Sequence, residues 1–357
     1  MRISTSWNQQ LGVNAILEQQ SKLSKTQLQI SSGKRIMTPA DDPAASVRLI
    51  DLDQVTKQTE QYQDNIVMAR QRLSLEEANL DDVVNVLNRI KTLTVQGLND
   101  TYSQVDRAAI ASELDQLNEN LLGLANTKNA NGEYIFAGYS TDTKPYQKGP
   151  AFNPNIFPLV NPATTPPLHL HVEDIASYPY YGDQNQRQLQ IGPTRMVTDG
   201  NYGEEIFGVS DVTTADADQS SLTYSDPLTD DTKVPKNLFE IVGKLAALMR
   251  ADVPAGTVEQ TANNEQLRAL DVGLNDIDRA LEKVVRVQTS IGARLNALDN
   301  QESTNADYIL DMQTMSSDVG DLDFAEAISR FNIQNISLQA AQQAFSKVQN
   351  LSLFDYL

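Results

Sequence analysis

His169 and His171 are the only imidazoles in 357 residues, and a single leucine separates them. On a strand that spacing puts both rings on one face, where they could share a metal. No acidic or thiol ligand cluster accompanies them, so a structural or solvent-exposed role is the expectation. Ser31 and Lys34 have the Ser-x-x-Lys spacing of penicillin-recognising enzymes, but the companion motifs are absent, and Pro39 and Pro43 fit a connector instead. Two acidic pairs, Asp216 with Asp218 and Asp321 with Asp323, could touch a cation. Neither is followed by the glycine and distant glutamate of an EF-hand loop, so a solvated turn and a helix cap are expected. There is no cysteine, and no Gly-rich phosphate loop, Gly-x-Ser-x-Gly elbow or His-Glu-x-x-His occurs. The sequence names no catalytic residue, no cofactor and no metal site, and its reading is non-enzymatic.

Composition shows what the chain must position instead. Lys and Arg number 28 against 47 Asp and Glu, a formal net charge of −19, which argues against nucleic-acid or anionic membrane partners. No apolar run approaches the roughly 20 residues of a membrane span, so no membrane insertion is expected. The opening Met-Arg-Ile-Ser-Thr-Ser-Trp lacks a signal peptide's apolar stretch, which predicts export, if any, by another route. Of the 14 prolines, 11 lie between Pro145 and Pro235. Residues 132–235 also hold 8 of the 12 tyrosines. This predicts a β or loop insertion between two helical arms. Residues 1–45 carry five basic and three acidic side chains and residues 320–357 two and four, so the two ends sum to zero. The whole negative charge sits between them, as suits ends that pack closely and a middle that faces water.

The arms have the heptad period of a coiled coil. On the C-terminal side Leu267, Leu274, Leu281, Gln288, Leu295, Glu302 and Ile309 occupy a positions. The d positions are Leu270, Ile277, Val284, Ile291, Leu298, Asn305 and Met312. On the N-terminal side Leu52, Ile66, Leu73, Leu80 and Leu87 fall on a seven-residue grid broken by Thr59. Three residues on from grid points come Val55, Tyr62, Ala69, Val83 and Ile90. About 45 helical residues make a rod of roughly 70 Å, which needs a partner along its length; the other arm is the nearest. Gln288, Glu302 and Asn305 interrupt the seam and either face a third helix or solvent, or fix register between the arms. Ile110, Leu114, Leu117, Leu121 and Leu124 predict a third amphipathic helix on the same rod.

The extreme ends repeat the period more weakly. Ile16, Leu23 and Ile30 recur at sevens near the start; Phe324, Phe331, Leu338 and Phe345 do so near the end, with Val348 beside them. Each is a stripe too narrow for a stable lone helix, so these residues are the expected assembly and partner interface. Between end and rod, Gly33 can close one helix, and Asp42 before Pro43 is a credible cap for the next. The expected organisation has three parts. Residues 1–45 and 320–357 form a terminal coiled-coil assembly domain. Residues 46–142 and 236–319 form a helical rod with a β-hairpin, and residues 143–235 a mainly-β, outward-facing insertion. The fold class is mainly α: a long antiparallel helical bundle from the two arms with a central β insertion.

Ser32-Gly33-Lys34 followed by Asp41-Asp42 resembles the loop after the first helix of the flagellin superfamily. The stretch from Asp323 to Leu357, through Leu338-Gln339-Ala340-Ala341-Gln342-Gln343-Ala344-Phe345, is similar to the end of that superfamily's hook-filament junction branch. The Met-Arg-Ile-Ser-Thr opening, the hairpin segment Asn131 to Gly138 and the tyrosine-containing end fit the same branch. The resemblance implies a structural adaptor on the bacterial flagellum, outside the cell. It implies type III export without a cleaved signal, an export chaperone on the C-terminal segment, and a ring of about eleven subunits. A neighbouring hook-associated protein would lie on the hook side and flagellin on the other. A flagellin-like filament subunit is the alternative within the superfamily. A secreted carbohydrate-binding module on a helical stalk, with Tyr178, Tyr180 and Tyr181 stacking sugars, is the alternative from another class.

Overall fold

The computed structural model describes residues 2–99, 102–152, 174–208, 237–251 and 259–354. His169, His171, Asp216 and Asp218 lie outside these. The order of elements is α1 (Arg2–Ser32), α2 (Pro43–Gly97), α3 (Gln104–Ala125), β1 (Ala151–Phe152), β2 (Ile175–Ala176), β3 (Gln188–Gln190), β4 (Met196–Thr198), α4 (Gly203–Phe207), α5 (Leu238–Arg250), α6 (Glu259–Gly320) and α7 (Phe324–Phe354). The fold is mainly α with β segments inserted between the arms. Its chain forms two compact units, residues 1–61 with 303–357 and residues 62–302.

In the first unit, α1 packs along α7. Each helix ends where the sequence provides a stop. Gly33 takes a φ of 71°, which closes α1 by returning its N–H to the Gln29 carbonyl at 2.9 Å. The Asp42 carboxylate accepts from Ala45 N at 3.0 Å and caps α2, with Pro43 at the first helical position. Asp323 Oδ1 caps α7 by accepting from Ala325 N at 2.9 Å and Glu326 N at 3.2 Å. The expected helix cap at Asp321-Leu322-Asp323 is therefore present, carried by its second carboxylate.

In the second unit, α2 and α6 run antiparallel. Gln63 Nε2 donates to the Glu302 carbonyl at 2.9 Å, Arg70 pairs with Asp299 and Glu302, and Lys91 pairs with Asp278. Ile66, Leu73, Leu80, Val83, Leu87 and Ile90 of α2 join Leu270, Ile277, Val284, Ile291 and Leu298 of α6 in one core. The d positions of α6 in this unit are thus buried as the heptads predict. Its a positions Leu274, Leu281, Gln288 and Leu295 are only half-buried, whereas Gly273, Ala280 and Val287, one residue earlier, are buried. The reason is a second layer on that side. Leu245 of α5 lies so close to Gly273 that a methyl there would come 2.4 Å from its Cδ2. Lys283 Nζ donates to the Gly208 carbonyl and Arg294 Nη1 to Asn201 Oδ1 at 3.1 Å. Of the polar heptad residues, Gln288 reaches across to the Asp81 carboxylate.

Helix α3 is capped by a reciprocal Ser103 and Asp106 pair and packs on α5 through Leu114 and Leu121, with Asn118 Nδ2 donating to the Phe239 carbonyl at 3.0 Å. The β content among the described residues is two short antiparallel ladders, β1 with β2 and β3 with β4. The same unit holds an aromatic cluster. Tyr146 packs against Phe239 at 4.9 Å, Tyr180 at 5.3 Å and Phe207 at 5.9 Å between ring centroids. No helix among the described residues is long and apolar enough to cross a membrane.

Candidate assembly site: the paired terminal helices

The turn after α1 and the turn before α7 lock together as a clasp. Lys34 and Asp321 form an antiparallel bridge; Arg35 N donates to the Gly320 carbonyl at 2.8 Å and Leu322 N to the Gly33 carbonyl at 2.9 Å. Side chains repeat the join. Lys34 Nζ reaches Asp321 Oδ1 at 2.6 Å, Ser317 Oγ donates to Asp321 Oδ2 at 2.6 Å, and the Arg35 guanidinium donates to the Val319 carbonyl at 2.7 Å. Lys34 and then Ser317 hold the Asp321 carboxyl below its ordinary range. Asp41 is held down to about 2, first by Lys25 and then by the N–H groups of Thr38 and Met37. Asp321 is exposed, and Asp41 is paired with an exposed lysine, so these are geometric ties rather than large stability terms. The Lys34 of the Ser-x-x-Lys spacing is therefore engaged in a structural ion pair.

From the clasp the two helices run back side by side. At their far end a methyl on Gly12 would come 2.9 Å from the Phe345 ring, a close approach that selects glycine. Ile16, Leu23, Ile30, Phe331, Leu338 and Phe345 are each half-buried, and Phe324 is half-exposed beside Gly33. Val348 lies beyond the described side chains. What the pair buries well is close to the clasp: Thr26, Gln29, Leu322 and Ala327. Trp7, Leu11, Val13, Leu17 and Leu28 of α1 and Ile328, Ile333 and Ile336 of α7 remain exposed. This is a thin seam whose helices carry apolar surface they do not cover.

The second unit holds a buried acid that the heptad reading passed over. Glu76 of α2 is 2% exposed and accepts from the Asn201 N–H at 3.2 Å and from its side-chain amide at 2.8 Å. Burial pushes its carboxyl up to about 7, against the pull of the Asn201 donors and Arg294, while Glu205 adds to the rise. Arg72 pairs with Glu133 and Asp199 nearby, and Arg187 with Asp199. A cavity of about 30 Å³ bounded by Arg72, Glu76, Arg187 and Asp199 has room for a single water. The signal was legible: Glu76 sits three residues past Leu73, where Ala69 and Val83 mark the same stripe one heptad away on either side.

A larger cleft, about 1010 Å³, is lined by Tyr146, Tyr178, Tyr180, Asp183, Glu204 and Glu240 among others, with no histidine, lysine or arginine among the described residues around it. The alternative in which Tyr178, Tyr180 and Tyr181 stack sugars meets the packing of the first two. The Tyr178 ring lies 5.6 Å from Phe239, and the Tyr180 hydroxyl donates to the Phe136 and Asp183 carbonyls. Both work within the core, and only Tyr181 is exposed. Among the described residues no group of three His, Asp or Glu side chains could hold a metal.

Terminal helices from the two ends of a chain clasped together in one unit, and an antiparallel pair of long helices with inserted β segments in the other, define a mainly helical class of protein. The chain matches the bacterial flagellin N-terminal helical region over residues 3–141 and the bacterial flagellin C-terminal helical region over residues 274–357, and it belongs to the flagellin family. It is 30% identical over 357 residues to flagellar hook-associated protein 3 of Escherichia coli (strain K12), with 99% of each chain covered. To flagellar hook-associated protein 3 of Salmonella typhimurium it is 28% identical over 354 residues, again with 99% of each covered. The crystal structure of flagellar hook associated protein-3 from Legionella pneumophila shares the fold, with a TM-score of 0.57 at 21% identity over 75% of this chain and 98% of that one.

Proposed function

We propose that this chain is a structural subunit of the bacterial flagellum, the adaptor that joins the hook side to the flagellin filament. The observation that carries this is the extent of the similarity. The hook-associated protein 3 relatives are 28–30% identical over 99% of this chain, whereas the flagellin of Clostridium tyrobutyricum is 24% identical over 89% of it. The finer reading is that about eleven copies form a ring, with the clasped terminal helices as the assembling element. Ile16, Leu23, Ile30, Phe324, Phe331, Leu338, Phe345 and Val348 are the residues assigned to its assembly and partner interface. Export through the flagellar type III apparatus and a chaperone on the C-terminal segment complete it. A chain without cysteine and with neutral, thinly packed ends suits passage unfolded and ordering on assembly, where burial offsets about 1–2 kcal/mol per residue of backbone entropy.

Deletion of the gene tests the reading. Cells should keep their hooks and shed filament subunits into the medium, and the wild-type gene should restore attached filaments. Complementation with Leu338→Asp should fail while residues 62–302 of the variant stay folded by circular dichroism and proteolysis. Fully motile cells carrying Leu338→Asp would overturn the role given to the terminal pair; attached filaments in the deletion strain would overturn the adaptor reading.

A further inference from the structure

The hairpin that follows α3 carries at its tip the one asparagine of the sequence that a glycine follows, Asn131-Gly132. Both residues are exposed, and the Asn131 side chain makes no hydrogen bond with the described residues. The backbone here is held while the amide is loose. Asn131 N donates to Asn129 Oδ1 at 2.9 Å, and Gly132 N donates to the Asn129 carbonyl at 3.0 Å. Gly132 has a φ of 83°, and a methyl on it would meet nothing within 4 Å. No side chain shields its nitrogen, and the exposed turn bond that engages it is weak because water competes for both ends.

These are the groups that an intramolecular cyclisation needs. Once solvent hydroxide takes the Gly132 amide proton, the nitrogen can attack Cγ of Asn131. The bond from nitrogen to Cγ forms, the bond from Cγ to the side-chain nitrogen breaks, and ammonia leaves a succinimide ring. Water then opens the ring at one carbonyl to give aspartate, or at the other to give isoaspartate, in which the backbone runs through the side chain and is one carbon longer. The other candidate, Asp199-Gly200, is protected. Asp199 is 2% exposed, and its carboxylate accepts from Arg187 Nε at 2.8 Å with Arg72 at 3.4 Å, so the electrophile is an ionised group fixed in place.

Position gives the reaction a structural consequence. Asn129 Oδ1 also accepts from Glu133 N at 3.0 Å, Asn129 Nδ2 donates to Glu133 Oε2 at 2.7 Å, and Glu133 pairs with Arg72 of α2. An extra backbone carbon after residue 131 breaks the spacing that lets one side chain bind the N–H groups of both Asn131 and Glu133. We infer that Asn131-Gly132 is a site of self-modification in the folded chain, where the amide becomes aspartate or isoaspartate, and that the isoaspartyl product loosens the hairpin from α2. The reaction needs only the folded chain and water, so it stands apart from the subunit reading.

The test incubates the folded full chain in mildly alkaline buffer and follows the tryptic peptide 129–148 by mass spectrometry, with isoaspartyl methyltransferase labelling to report the isomer. That peptide should gain the mass of an amide turned acid before any other asparagine peptide does, and should take the label, while the peptide holding Asp199 takes none. An Asn131 that stays intact in the folded chain yet converts in urea would overturn the inference, as would another asparagine converting first. Asn131→Gln should abolish the mass gain; the same gain in that variant would place the reaction elsewhere. For the consequence, the isoaspartyl form separated by ion exchange should exchange the amide hydrogens of residues 129–135 faster than the fresh chain. Asn131→Asp, which adds the charge without the extra carbon, should match the fresh chain. Equal exchange in the isoaspartyl and fresh forms would overturn the loosening.

Discussion

In the second unit, Leu73, Leu80, Leu87, Ile277, Val284 and Ile291 are fully buried at heptad spacing, and α5 adds Phe239, Val242, Leu245 and Leu248 from another side. In the terminal pair the same spacing gives Ile16, Leu23, Phe331 and Leu338 only half-buried, and the best-buried groups near the clasp include Thr26 and Gln29. The periodicity is alike in the two regions; the number of layers differs. A heptad stripe becomes a dry core when helices cover it from two sides, and stays a half-wet seam when only one helix does. The core of the second unit is closed from two sides, whereas the terminal pair leaves Leu11, Leu17, Leu28, Ile333 and Ile336 uncovered.

The largest effects should separate the two regions. Phe239→Ala removes a buried ring packed against Tyr146, Tyr178 and Phe207 and should cost about 3–5 kcal/mol, read as a lowered denaturation midpoint of the full chain. Leu338→Ala, at a half-exposed seam position, should leave that midpoint nearly unchanged. Equal losses for the two would erase the distinction. Glu76 comes next. Its carboxyl is raised, so between about pH 4.5 and 7 the native state holds a proton the unfolded chain has released. Stability from this group is thus highest in acid and falls as pH rises, by roughly 3 kcal/mol at most, about 1.4 kcal/mol per unit. Glu76→Gln should flatten the dependence of stability on pH between 5 and 8 and raise stability at pH 8; a variant that keeps the wild-type slope would contradict this. The clasp has the opposite sign, since Asp41 and Asp321 are held low and lose their ties only as pH falls toward their folded values. The smallest effect is Gln288→Leu. It gives up the contact with Asp81 and should raise the melting temperature slightly while broadening register or oligomer state in sedimentation. A more stable and still uniform sample would show that Gln288 does not set register.

How much the sequence discloses follows the range of the interactions. The stops at Gly33, Asp42 and Asp323 are local and were legible, because cap and turn chemistry is written within four residues. The d stripe of α6 was legible for the same reason. That Ala280 and Val287 would be buried in place of Leu281 and Gln288 was not, since it depends on where α5 lands. The pairing of Lys34 with Asp321 spans 287 positions, and nothing in either segment names the other. Glu76 could have been found as the acid in an apolar stripe, but its partner Asn201 lies in a loop with no periodic signal. Tyr178 and Tyr180 read equally as ligand platform or core, and their contacts assign them to the core.

Hydrogen exchange of the free chain and of isolated flagella tests the contrast most directly. In the free chain, amides of α1 and α7 between residues 13–30 and 327–347 should exchange far faster than those of α2 and α6 between 66–90 and 277–298, and should become protected in flagella. Equal protection of both regions in the free chain, with no gain on assembly, would contradict the account.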